Sequence, residues 1–258
     1  MEHSVDAAAT VTFIAIQPIT VVALLTLGFL GGMLSGFIGS GGAFVLTPGM
    51  MNLGVDGPVA VASNMCHKFP KALVGAISRR RLGHVDVKLG LILGVSAIAG
   101  VKTGVSVQGA ILDAWGKAGS NLYISVAFVV VLLIVGSMFL RDARKAAAGG
   151  LDDTVPSFPA KVKRLVLPPM ITFPVAKSRV SFWVTVPLGF ATGMLAATIA
   201  VGGFIGVPSM IHVIGAPGFV ASGSELVVAF VMGLEGTCEW ALLGFVDLRL
   251  SVLILAGS

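Results

Sequence analysis

Apolar positions along this chain fall into blocks too long for a soluble core. Near 11–38, 58–77, 87–107, 121–140, 180–201 and 219–244 they reach the about 17–25 residues that a helix needs to cross a bilayer. The pattern predicts an all-α integral membrane protein, a polytopic helical bundle. The first block does not end cleanly. It runs into IGSGGAFVLTPGMMNLG, residues 38–54, whose glycines and proline predict a break and a short returning segment near 43–53.

The same pattern occurs twice. LGFLGGMLSGFIGSGG (27–42) and LGFATGMLAATIAVGG (188–203) share nine of sixteen residues at an offset of 161. After a one-residue shift Phe44, Pro48 and Met50 match Phe204, Pro208 and Met210. The offset of 161 then returns through Ala60 and Ala221, Ser63 and Ser224, and Val85-Asp86 and Val246-Asp247. This predicts two homologous membrane repeats, 1–140 and 180–258, with broken or re-entrant Gly-Gly segments. They are joined by a basic, proline-containing linker at 141–179. The second copy stops inside the segment equivalent to 91–97, so a C-terminally truncated repeat is expected.

Charge sets the expected topology. No Lys or Arg precedes Lys68, whereas Arg79, Arg80, Arg81 and Lys88 cluster in one loop and the linker is basic. Basic loops near spans stay cytoplasmic, so the N-terminus is expected outside and the linker inside. Counting the short segments as crossings puts the 244–250 loop outside. Its single Arg249, against the four basic residues of its counterpart, is the asymmetry of an inverted repeat; if the short segments do not cross, the repeats are parallel. The composition agrees with a membrane protein: 56% hydrophobic, 11% charged, mean hydropathy +0.99. The net charge of +5 reports this topology and not a nucleic-acid partner.

Helix breaks at membrane depth are tolerable where exposed amides face a cavity, and half-helix N-termini favour anions. Gly39, Ser40, Gly41 and Gly42, with Gly202 and Gly203 from the second half, are therefore candidate binding residues for a small anion. Close helix packing is the alternative for such glycines. In SNMCHKFPK, Asn64, His67, Lys68 and Lys71 share one helix face. A Lys at membrane depth is costly and a functional candidate, although Pro70 could end the span and leave Lys71 at the interface. In the second half, Ser224 matches Ser63 and Glu225 matches Asn64. Glu225 and Glu235 are candidates for proton coupling, with Glu239 near the outer surface beside Trp240.

The Leu-Gly-Phe-x-x-Gly-Met-Leu runs before each Gly-Gly, with Ala-x-x-Ser at Ala60–Ser63 and Ala221–Ser224, resemble the TauE/SafE sulfite exporter family of anion permeases. The resemblance covers nearly the whole chain. It implies a bacterial inner-membrane transporter of sulfite, thiosulfate or organosulfonates. The expected function is secondary transport of such an anion by alternating access, with a passive channel or a carrier of non-sulfur organic anions as alternatives. No Walker A motif is present, so ATP is not expected to drive it. An enzyme using Cys66 and His67 is disfavoured, because neighbouring helical residues point about 100° apart. No cofactor or metal is expected; the expected partners are the anion and the lipid bilayer.

Overall fold

The structure is a computed structural model that describes residues 13–38, 42–147 and 168–258. Its elements are α1 (Pro18–Ile38), α2 (Ala43–Asn52), α3 (Gly57–Arg81), α4 (Val87–Ala147), β1 (Met170–Phe173), β2 (Ser178–Ser181), α5 (Phe182–Ile199), α6 (Gly202–Ser209), α7 (Gly218–Leu242) and α8 (Leu248–Gly257). A π turn, Met210–Ile214, extends α6. Helices α1, α4, α5 and α7 are long and apolar enough to cross a membrane. Large apolar side chains such as Ile19, Val22, Phe29, Leu133 and Leu242 are exposed on the outer surface, as a lipid-facing belt requires. The protein is an all-α membrane bundle.

The expected break after the first span is present. Gly42 takes φ 59, a left-handed conformation, just before α2. A Cβ there would also overlap the backbone carbonyl of Gly31, so the position demands glycine for two reasons. Helix α2 then runs back along α1, with Leu46 against Gly31 and Gly49 against Leu27. The second break is built differently: α5 ends at Ala200 with φ 62, and α6 starts two residues later.

The spans expected at 87–107 and 121–140 are the two arms of α4. The chain stays helical between them apart from Gly116, at φ 64 and ψ −171. Gln108 Nε2 donates to Ser120 Oγ at 2.6 Å. In a straight helix those twelve residues would separate the two by about 18 Å, so Gly116 folds the arms against each other. The second arm is a ruler for the two halves. Its Lys117 pairs with Asp56 in the loop after α2 at 3.2 Å, and its Asp142 with His212 in the turn after α6 at 3.1 Å. Twenty-five helical residues span about 38 Å, so these matching loops lie at opposite ends of the bundle.

Helix partners are exchanged between the halves. The first arm of α4 packs on α5, while α8 packs on α1. A Cβ on Gly28 would meet Ile254 and one on Gly32 would meet Ser258; Gly189 faces Leu93 and Gly193 faces Ala97 in the same way. Every residue of the second seam differs by 161 from its counterpart in the first. Two hydrogen bonds repeat the exchange: Asp247 N donates to Ser63 Oγ at 3.1 Å and Asp86 N to Ser224 Oγ at 2.9 Å.

The end of the basic linker is folded, which hydropathy did not indicate. Helix α4 continues to Ala147, and β1 and β2 pair antiparallel with Thr172 opposite Arg179. Asp86 fastens this hairpin. Its Oδ1 accepts from Leu89 N at 3.1 Å, capping α4. Its Oδ2 accepts from Val175 N at 3.0 Å and Ala176 N at 3.1 Å. An orphaned buried amide costs about 1–3 kcal/mol, so Asp86→Ala is expected to release the hairpin from α4. Limited trypsin digestion in detergent should then cut at Lys177 and Arg179; an unchanged digestion pattern would count against the clamp.

Candidate functional site

The two half-helices meet at their N-terminal ends. The rings of Phe44 and Phe204 lie 4.8 Å apart, and Phe139 closes on Phe204 edge-on at 6.0 Å. First-turn amides of a helix lack intrahelical partners. Val45 N donates to Gly42 O and Phe204 N to Val201 O, each at 3.0 Å, so the amides that α2 and α6 can bring toward one region are those of Ala43 and Phe44 and of Gly202 and Gly203. Gly202 and Gly203 are buried there. A Cβ on Gly202 would lie 2.7 Å from Thr192 O and would crowd Ala196, so close packing on α5 accounts for that glycine's size. Gly39, Ser40 and Gly41 lie outside the described residues.

Helix α3 supplies the polar face expected from SNMCHKFPK. Asn64 Nδ2 donates to Thr47 Oγ1 at 2.8 Å and to Ala43 O at 3.4 Å, tying α3 to the first turns of α2. Lys68 is 2% exposed, and its Nζ has no hydrogen-bond partner among the described residues. His67 Nε2 lies 3.3 Å from Ser258 Oγ. The Lys71 side chain also buries its Nζ, with no hydrogen-bond partner among the described residues.

Glu225 is the second-half counterpart of Asn64 and sits in the matching place, against its own half-helix. Its carboxylate occupies the space that a side chain at Gly206 would need. Glu225 is fully buried, and neither carboxylate oxygen has a hydrogen-bond partner among the described residues. No salt bridge joins Lys68 to Glu225, and each is buried without a hydrogen-bond partner among the described residues. An isolated buried charge is strongly unfavourable, and unpaired ionisable groups inside a membrane bundle mark substrate or proton pathways.

Other expected site residues lie elsewhere. Ser224 Oγ is engaged by Asp86 N and helps join the halves. Glu235 pairs with Lys102 at 3.3 Å, and Glu239 with the same Lys at 3.6 Å, so neither shares the isolation of Glu225. Two contributors were not singled out from the sequence. Thr47 is the one hydroxyl residue of α2, a usable signal. Gly206 stands where the first half has Leu46, so the cradle appears in the same half in which Asn64 becomes Glu225.

Paired interrupted helices meeting beside unpaired buried charge, within a lipid-faced multi-pass bundle, define a membrane transporter. The chain belongs to the sulfite exporter TauE/SafE family, whose model matches residues 24–258. It is similar to the "Probable membrane transporter protein YdhB" of Bacillus subtilis (strain 168), at 26% identity over 235 residues, 89% of this chain and 82% of that protein. No solved structure matches the chain.

Proposed function

We propose that the protein carries a small oxyanion, of the sulfite or thiosulfate class, by alternating access of two inverted repeats coupled to a proton. The family's description supports sulfur, and the buried site supports an anion. The observation that carries the reading is Lys68 and Glu225, both buried beside the meeting half-helices and without a hydrogen-bond partner among the described residues. Inversion is supported by the seams and hydrogen bonds exchanged at an offset of 161, and by the matching loops at opposite ends of the second arm.

Electrostatics gives the coupling its sign. In the empty carrier the Lys68 ammonium and Glu225 carboxylate balance. A monovalent anion entering the site takes over the balance to Lys68, and like-charge repulsion favours protonating Glu225. Amides of the half-helix ends replace part of the anion's hydration. The interior is then neutral whether loaded or empty, and each cycle moves one proton with one anion. Neutrality lowers the barrier to reorientation, because moving an unbalanced charge through an apolar interior is costly.

Uptake of radiolabelled sulfite and thiosulfate into proteoliposomes tests this. Saturable accumulation that follows an imposed pH gradient is expected for one of the two. Carried as the monovalent hydrogensulfite, it should ignore a potassium diffusion potential, whereas the thiosulfate dianion with one proton leaves one negative charge uncompensated and should respond to it. Non-saturable flux without gradient dependence would make the protein a channel. No flux of either anion by folded protein would overturn the sulfur-oxyanion reading.

A further inference from the structure

A groove of about 400 Å³ runs along the outer seam between the first arm of α4 and α5, on the side of the bundle where the hairpin docks. Its volume falls within the about 300–1,000 Å³ of small-molecule sites. Leu91, Ile92, Val95 and Ser96 line one wall, and Phe182 and Val186 the other. The hydroxyl of Ser96 does not make the groove polar, because it donates back to Leu93 O at 2.8 Å and Ile92 O at 3.1 Å. The walls are thus hydrocarbon, facing the lipid side of the bundle.

The mouth has the opposite chemistry. Lys88 precedes 91, 92, 95 and 96 by three, four, seven and eight residues, so it stands on the same face of α4, one turn above the groove. Its Nζ donates to Thr172 O at 3.1 Å, on the residue paired across the hairpin with Arg179. Arg179 is exposed and three residues from Phe182, where the opposite wall begins. Phe182 N in turn donates to Pro169 O at 3.0 Å, fixing the hairpin base to that wall. The one acidic group on this stretch among the described residues, Asp86, is buried with both oxygens occupied by amides. Trp183 is 61% exposed with Nε1 donating to Pro168 O at 3.3 Å, the half-wet placement of an interfacial aromatic anchor.

We infer that this seam is a binding site for an anionic phospholipid, its headgroup phosphate between Lys88 and Arg179 and one acyl chain in the groove below. Charge complementarity selects the headgroup, and the apolar channel beneath it selects a chain-bearing ligand over a free phosphate. The lipid would brace α4 against α5, the seam that joins the two halves.

Native mass spectrometry of the full chain tests the assignment after incubation with equal amounts of phosphatidylglycerol and phosphatidylcholine of the same acyl composition. Phosphatidylglycerol should be retained preferentially. Lys88→Gln keeps a donor for the Thr172 carbonyl but removes the charge, and it should lower that preference about fivefold, the effect of one basic side chain near an anionic surface. Lys88→Arg should preserve the preference, and Val95→Trp, which fills the groove, should reduce retention of both lipids. Equal retention of the two lipids by the unaltered protein would overturn the proposal. An undiminished preference in Lys88→Gln would do so as well, moving the lipid to the Arg79–Arg81 rim. Displacement of bound lipid by free glycerol phosphate would show a phosphate site without a chain, and would also overturn it.

Discussion

Glu225→Gln is expected to abolish pH-driven accumulation of the anion while leaving anion-for-anion counterflow intact. Gln is nearly the size of the protonated acid and should fit over Gly206, so the loaded carrier, with Lys68 balanced by substrate, can still reorient. The empty carrier cannot: its Lys68 charge has lost its balance. A potential of 100 mV acting on one unbalanced charge is worth about 2.3 kcal/mol, and desolvation of that charge adds to the barrier. Counterflow needs only the loaded state, whereas net transport needs both. Paired measurements in the same proteoliposomes therefore separate the roles. Accumulation at the unaltered rate would remove Glu225 from coupling. Loss of counterflow as well, in protein that remains folded, would assign Glu225 to binding.

The second large effect falls on the fold. Gly193→Leu should prevent stable assembly, because a Cβ at 193 would overlap the carbonyl and Cα of Ala97 across the α4 and α5 seam. A crowded side chain can change rotamer, but a backbone carbonyl moves only if its helix moves. The cost should therefore reach or exceed the upper part of the about 1–3 kcal/mol seen for overpacking. Thermal unfolding followed by size-exclusion chromatography in detergent measures the loss. Gly136→Leu is the control, since nothing lies within 4 Å of a Cβ placed there. Equal melting of the two variants would show that the seam does not depend on close approach.

Much of the architecture was legible in hydropathy and glycine placement. Five of the six long apolar blocks lie in helices long and apolar enough to cross a membrane, the exception being 58–77, whose helix α3 carries the polar face. The two Gly-Gly stretches became helix breaks, and Asn64, Lys68 and Glu225 were found buried around the half-helices. What escaped depended on contacts between residues distant in sequence. Two spans were expected at 87–107 and 121–140, but not that a single glycine at 116 would turn between them, and one at 206 does not announce a cradle. The hairpin at 170–181 is too short to carry a periodic signal, and it stands because Asp86, almost ninety residues earlier, accepts its amides. The pairing of Glu235 with Lys102 was likewise hidden: each looked like a lone charge within its own segment.

The polar face of α3 bears on how the protein is made. This helix has 25 residues, as many as α7, but alone it would present Asn64, His67, Lys68 and Lys71 to lipid. One Lys at the centre of a bilayer opposes insertion by about 2.5–3.5 kcal/mol. The helices that enclose it include α7 and α8, which the ribosome delivers more than 130 residues after α3 is complete. During synthesis α3 therefore lacks the walls of its final enclosure, and its lasting place in the membrane is set by helices that emerge after it.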